Sequence, residues 1–259
     1  MSRTYLITGG TGGIGQATAE LLRDRGETVI TADIQGADVN CDLTTPEGRE
    51  ELAAKARELS GGQLNAVIAN AGMQAPIAKT VQVNYFGAVA TLEGVYDLLA
   101  ASDNPRAVIT ASMASLQPTD VELLNALLDN DEELAVARGT ALAEQGPREG
   151  YANYSASKQA VARWVRRNAP TEKWAGAGIA LNAIAPAVVV SPMTEQLRNS
   201  EEGLAQLEQV PMPLNGWLEP EQAAKMLAWL TSEENTHLCG QVIFVDGGYD
   251  AITRGDSTW

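Results

Sequence analysis

Tyr5-Leu6-Ile7-Thr8-Gly9-Gly10-Thr11-Gly12-Gly13-Ile14-Gly15 is the stretch from which the fold can be read. A short apolar run breaks into a glycine-rich loop. Ala17, Ala19, Leu21 and Leu22 then recur at helical spacing, and Gly26 closes the helix. Thr28-Val29-Ile30-Thr31-Ala32-Asp33 follows as a buried strand ending in an acid. Strand, glycine loop, helix and strand make a βαβ unit. Such a loop sets backbone N–H groups and a helix N-terminus against a pyrophosphate, with glycine wherever a Cβ would collide. Two spacings fit the same residues. Gly10, Gly12 and Gly15 satisfy G-x-G-x-x-G, while Thr8-Gly9 with Gly13 and Gly15 satisfies T-G-x-x-x-G-x-G. Spacing leaves both open. Asp33 lies where a carboxylate accepts hydrogen bonds from ribose hydroxyls and repels a 2′-phosphate, so NAD is expected over NADP. The competing view of Asp33 is a strand-end acid facing solvent.

Working outward, apolar strands and amphipathic helices alternate along the chain. Val39-Asn40-Cys41 reads as a third strand, followed by Asp42 and Leu43. Thr45 caps the next helix, with Pro46 at its first position. A buried strand over 64–69 closes in Asn70-Ala71-Gly72, and one long helix is expected over 79–101. Within that helix Asn84 is polar in an apolar stripe, either a satisfied core amide or a functional group. The fifth strand spans 106–112 and ends at Ser112, where open parallel sheets place their ligands. A sixth strand over 177–185 leads to Pro186, Val189 and Ser191, and a seventh over 241–245 ends in Asp246-Gly247-Gly248. The alternation predicts an α/β fold: one doubly wound parallel seven-stranded sheet over residues 1–259, without internal repeats. A polar, helix-prone stretch at 116–150 reads as a helical insertion, and 191–218 as a substrate-binding loop.

Tyr154-Ser155-Ala156-Ser157-Lys158 opens a helix marked by Ala160, Val161, Trp164 and Val165. Residues four apart share a helix face, so the Lys158 ammonium is expected beside the Tyr154 phenol. A nearby cation favours the phenolate and would bring the phenol toward the working range of a general acid/base.

The composition narrows the function. The chain has 259 residues, 45% hydrophobic content and a formal charge of −15. So acidic a chain is repelled by phosphate backbones, so no nucleic-acid partner is expected. No apolar run is long enough to span a membrane, and no leader precedes the first strand, so a cytoplasmic protein is expected. Cys41 and Cys239 are isolated and His237 is the only histidine, so no metal site is expected.

Together these residues resemble the single-domain short-chain dehydrogenase/reductase family. The resemblance rests on Thr8 to Gly15, Asn70-Ala71-Gly72, Asn84, Ser112, Tyr154 with Lys158, Pro186 with Ser191, and Asp246-Gly247-Gly248. It implies that Tyr154 moves a proton to or from the substrate oxygen and that Ser112 hydrogen-bonds the carbonyl. It also implies that Lys158 holds the nicotinamide ribose and lowers the tyrosine pKa, while Asn84 holds a relay water. The implied NAD contacts are Gly9, Thr11, Gly13, Ile14 and Gly15, then Asp33, Ile34, Asp42 and Leu43. Asn70, Ala71 and Gly72 follow, with Tyr154, Lys158, Pro186, Val189 and Ser191 completing the set.

There are departures. Ala187 stands where the family usually has glycine, and Ala69 where it commonly has asparagine. Between Ser112 and Tyr154 lie 41 residues, many more than usual. An insertion at this place resembles the hydroxysteroid dehydrogenase/carbonyl reductase branch of the family. So do Thr45-Pro46-Glu47-Gly48-Arg49 and the tail Tyr249-Asp250-Ala251. That likeness implies an NAD-dependent alcohol dehydrogenase/ketone reductase for a bulky or cyclic apolar secondary alcohol and its ketone. The insert is expected to block the family's usual helix-to-helix pairing, leaving a homodimer built through the last strand and its preceding helix. Two other classes compete: a catalytically silent NAD-binding regulator or scaffold, and a nucleotide-sugar epimerase or dehydratase. The last of these usually carries a further C-terminal domain.

Overall fold

A computed structural model describes residues 2–257. Seven parallel strands form one sheet in the order β3-β2-β1-β4-β5-β6-β7. They are β1 (Thr4–Thr8), β2 (Thr28–Asp33), β3 (Val39–Asn40), β4 (Ala66–Ala69), β5 (Arg106–Thr110), β6 (Ala180–Pro186) and β7 (Val242–Val245). Pairing is in register, with Leu6 opposite both Ile30 and Val67. β1, β4 and β5 are buried on both faces, which explains their unbroken apolar runs.

Helices cover both faces. On one, α1 (Gly13–Asp24) and α12 (Pro220–Leu230) bury Leu22, Leu227 and Leu230 against Ile7, Ile68 and Val108. On the other, α2 (Pro46–Leu59), α4 (Ala88–Gly94) and α9 (Ala152–Asn168) bury Leu52, Leu92, Val161 and Val165 against Leu6, Val67 and Ile109. Thr45 caps α2 as its sequence predicts, its hydroxyl accepting from the Gly48 N–H at 3.1 Å.

The expected helix over 79–101 is interrupted. It runs as α3 (Lys79–Val81), a π-helical turn (Gln82–Gly87), α4 and α5 (Tyr96–Ala100). The π turn buries Asn84, Tyr85, Phe86 and Gly87. Several strands are shorter than expected. β4 starts at Ala66 because the Leu64 N–H turns away to the Leu98 carbonyl. β5 ends at Thr110, because Ser112 already caps the 3-10 turn Met113–Leu116.

Segment 116–150 contains α6 (Val121–Leu128), α7 (Glu132–Glu144) and α8 (Pro147–Gly150). Asp120 and Asp131 cap α6 and α7. Leu123, Leu124, Leu127 and Leu142 join the core beside α9, whereas Leu134 is exposed. Segment 191–218 carries α10 (Pro192–Arg198) and α11 (Glu201–Glu208), and α13 (Tyr249–Arg254) ends the described chain. No helix among the described residues is long and apolar enough to cross a membrane.

Candidate active site

The carboxyl ends of β1, β4, β5 and β6 open on one crevice, where the strand order reverses. A cavity of about 530 Å³ lies there.

The glycine loop decides between the two spacings. Gly9 and Gly13 are left-handed, with φ of +67° and +51°. A Cβ on Gly15 would sit 1.9 Å from the Gly9 carbonyl oxygen, and one on Gly9 would sit 2.9 Å from the Ala71 Cα. Gly12 is extended, and a Cβ there would meet nothing within 4 Å. Gly10 is tight only against the Thr31 side chain and the Ile7 carbonyl. The restricted positions are therefore those of T-G-x-x-x-G-x-G. Gly15 itself sits behind the cavity wall; its part is to let α1 approach the loop. Gly9, Gly12 and Gly13 present bare backbone to the cavity beside Ile14, a cradle that fits a pyrophosphate.

Asp33 stands at the edge of that cradle. Its Oδ2 accepts from the Thr11 N–H at 3.1 Å and the Thr11 hydroxyl at 2.6 Å, and its Oδ1 accepts from the Ile34 N–H. The carboxylate is thereby aimed along the wall, with Ile34 exposed at the rim. Deeper in lie Asp42 and Leu43. Hydrogen bonds from the Thr44 hydroxyl and N–H hold the Asp42 carboxyl below the usual carboxylate range, and Lys79 adds to this at 3.5 Å. The Thr8 hydroxyl accepts from both the Asn70 and Ala71 N–H groups, and the Thr110 hydroxyl donates to Asn70 Oδ1. These bonds tie the 70–72 turn to β1 and β5.

Asn84 does not reach the cavity. Its Oδ1 accepts from the Met73 N–H, and its Nδ2 donates to the Met73 carbonyl and the Ser157 hydroxyl. The side chain is thus a satisfied core amide that joins the π turn, the loop under Gly72 and α9.

Ser112, Tyr154 and Lys158 do converge on the cavity. All three are buried. Burial raises the Tyr154 pKa, and the Ser112 hydroxyl against the phenol works in the opposite direction. The Lys158 ammonium donates to the Thr110 carbonyl at 2.8 Å and lies 5.9 Å from the Tyr154 ring centroid. Burial is the larger influence on the phenol, and it also pushes Lys158 down to about 8.

Pro186, Val189 and Ser191 complete the far wall with Ala187. Ser191 and Thr194 form a capping box that starts α10. Of the apolar side chains in segment 191–218, Met193 lines the cavity. Leu207, Met212 and Leu218 instead tie the segment to Val188 and Val189, and Leu214 is exposed. The sequence analysis missed Thr110, Met73 and Gln74, which also line the cavity. Thr110 had a usable signal, since it precedes Ser112 by two residues at the same strand end. Met73 and Gln74 follow the Asn-Ala-Gly turn and carried none. No cluster of His, Cys, Asp and Glu among the described residues could hold a metal ion.

A doubly wound sheet with a Tyr, Lys and Ser at its switch-point crevice defines a class of nicotinamide-dependent oxidoreductases. Residues 3–124 match the short chain dehydrogenase family, and residues 134–250 match the family described as Enoyl-(Acyl carrier protein) reductase. The chain belongs to the short-chain dehydrogenase/reductase family. It is 32% identical to the 3-alpha-hydroxysteroid dehydrogenase/carbonyl reductase of Comamonas testosteroni, covering 96% of this chain and 97% of that one. It is 28% identical to the Cis-4-hydroxycyclohexanecarboxylate dehydrogenase of Sinomonas cyclohexanicum, over 96% and 97%. Among solved structures it resembles the 3-alpha-hydroxysteroid dehydrogenase of Pseudomonas sp. B-0831 complexed with NADH. The TM-score is 0.90 and the identity 36%, covering 98% and 99% of the two chains.

Proposed function

We propose that the protein is an NAD-dependent oxidoreductase interconverting a bulky or cyclic apolar secondary alcohol and its ketone. One observation carries this: Ser112, Tyr154 and Lys158 line the same cavity as the bare glycine cradle and Asp33. NAD over NADP is favoured by the Asp33 carboxylate, which Thr11 holds at the cradle's edge where a 2′-phosphate would be repelled. When bound, the nicotinamide carries the hydride. Tyr154 gives its phenolic proton to the substrate oxygen in reduction and takes one back in oxidation. Ser112 donates to the same oxygen, where charge grows as the carbonyl is reduced. Lys158, fixed by the Thr110 carbonyl, brings a positive charge to that end of the cavity. Asn84 acts by holding the Met73 loop to α9.

The apolar character of the substrate rests on Met73, Val83, Val189 and Met193 in the cavity wall, and its cyclic character on the two relatives' names, one a hydroxysteroid and one a hydroxycyclohexanecarboxylate dehydrogenase. Segment 191–218 serves as the substrate-binding loop, and 116–150 as an insertion in a single NAD-binding domain. The insertion covers α9 with α6, so a homodimer forms through the last strand. β7 is an edge strand with all four residues half-exposed, and Trp229 of the preceding α12 is also exposed. Two free cysteines suit a reducing cytoplasm.

The test is NADH absorbance against steroids, terpenoid alcohols and simple cyclic ketones, each run in parallel with NADPH. Turnover of at least one bulky cyclic ketone with NADH is expected. Tight NAD binding without turnover of any substrate would favour the silent regulator on the same fold. Light scattering reads the stoichiometry, and a tetramer paired through α9 would contradict the dimer.

A further inference from the structure

A second cleft of about 340 Å³ lies away from the active site, between the π turn, the end of α6 and the last two turns of α9. Val89, Leu128 and the rings of Tyr85 and Trp164 form its apolar part, and Glu93, Asn130 and Asn168 its polar part. Arg167 borders it from α9. No ion pair or hydrogen bond engages the Arg167 guanidinium among the described residues, although the chain carries fifteen more acidic than basic side chains. Glu93, the carboxylate on the cleft wall, is already engaged by Lys173. Asp129 lies near enough to raise the Tyr85 pKa but makes no ion pair with Arg167.

Tyr85 supplies the second observation. It is 1% exposed, and its hydroxyl, which no hydrogen bond engages among the described residues, keeps contact with solvent at the cleft. Burial pushes its pKa up to about 12, with the Arg167 charge acting against that rise. A neutral phenol is a donor, and a guanidinium offers a forked pair of donors suited to a carboxylate. The Tyr85 hydroxyl is therefore available to donate to a ligand oxygen in the cleft.

We propose that this cleft binds a small organic carboxylate with a flat apolar body. The carboxylate sits on the Arg167 guanidinium and the Tyr85 hydroxyl, and the body lies on Trp164 between Val89 and Leu128. The volume suits one ring or two and falls near the lower end for small-molecule sites. The site touches the catalytic framework at two points. Tyr85 follows Asn84 in the π turn, and Trp164 and Arg167 lie on the helix that carries Tyr154 and Lys158.

Benzoate is the probe and benzamide its neutral counterpart. Both are titrated into the NAD-saturated protein by calorimetry, with ¹H–¹⁵N spectra following the tryptophan indoles. Saturable benzoate binding that shifts the Trp164 indole, with benzamide at least tenfold weaker, is expected. Arg167→Gln and Tyr85→Phe should each weaken benzoate by about tenfold, and Arg167→Lys should fall between wild type and Arg167→Gln. Thermal melts of each variant separate lost binding from lost folding, and Arg167, being exposed, carries the decisive result. Absence of saturable binding overturns the proposal. So does affinity unchanged in Arg167→Gln, or benzoate that competes with the ketone substrate and leaves Trp164 unmoved.

Discussion

Replacing Gly15 with alanine tests the cofactor cradle where the geometry is tightest. The added Cβ would lie 1.9 Å from the Gly9 carbonyl oxygen and 2.7 Å from its carbon. A relaxed carbon–oxygen contact needs about 3.3 Å, so α1 and the loop must part by about 1.4 Å. The obstructing atoms are backbone, so no side-chain rotation relieves the overlap. Overpacking of this kind costs about 1–3 kcal/mol. At the upper end, about 3 kcal/mol lowers Tm by about 6–12 °C in a chain of this size. The same shift tilts the N-terminus of α1 away from the pyrophosphate position, so NAD affinity should fall at least tenfold. Gly12→Ala is the control. Its Cβ meets nothing within 4 Å and its backbone is extended, so Tm should stay within about 1–2 °C of wild type. Differential scanning calorimetry and NAD titration read both variants. Wild-type melting and NAD affinity in Gly15→Ala would refute the argument, as would a larger loss of Tm in Gly12→Ala than in Gly15→Ala.

Tyr154→Phe removes only the hydroxyl beside Ser112. Its kcat should fall by about 10²–10⁴ or more while the NAD dissociation constant stays within a few-fold; near-normal kcat would remove Tyr154 from the mechanism. Asp33→Ala frees Thr11 and removes a negative charge at the cradle's edge, so NAD should bind about tenfold or more weakly and NADP discrimination should shrink. Equal kcat/KM for the two cofactors in the wild type would contradict that role. The pH profiles of the two directions should oppose each other. Oxidation needs the Tyr154 phenolate, which burial disfavours, so its kcat/KM should rise with pH across about 7–9. Reduction uses the neutral phenol and the Lys158 cation. That cation is lost as pH passes upward through about 8, so reduction should decline there. Parallel initial-rate profiles check this, and a flat oxidation profile would contradict the assignment of Tyr154 as base.

Most of the fold was legible because buried parallel strands leave unbroken apolar runs, and the acids and glycines that end them mark the crevice. Leu6-Ile7 into Gly9, and Ile30 into Asp33, read correctly for this reason. What failed was local. The 79–101 segment has good helical periodicity, yet a π turn shifts its register at Gln82–Gly87, where Asn84, Tyr85 and Phe86 are all buried. No residue type marks such a turn in advance. Similarly, two glycine spacings were equal on paper, and only the distance between Gly15 and Gly9 separated them. Close approach between elements distant in space leaves no periodic trace.

The Tyr154–Lys158 pair shows most clearly what spacing omits. Four residues on a helix bring a phenol and an ammonium to one face, and from that alone the cation should make the phenol more acidic. Spacing does not report that both groups lie in a dry site, nor that the Thr110 carbonyl binds the ammonium. Burial acts on both partners but in opposite directions, because it penalises whichever form carries charge. The phenol is held protonated and the ammonium is pushed toward release. The unliganded pair is therefore set up as a proton donor, the state reduction requires. In the proposed mechanism, oxidation begins by taking a proton off Tyr154 against that bias, and the opposed pH profiles measure how strong the bias is.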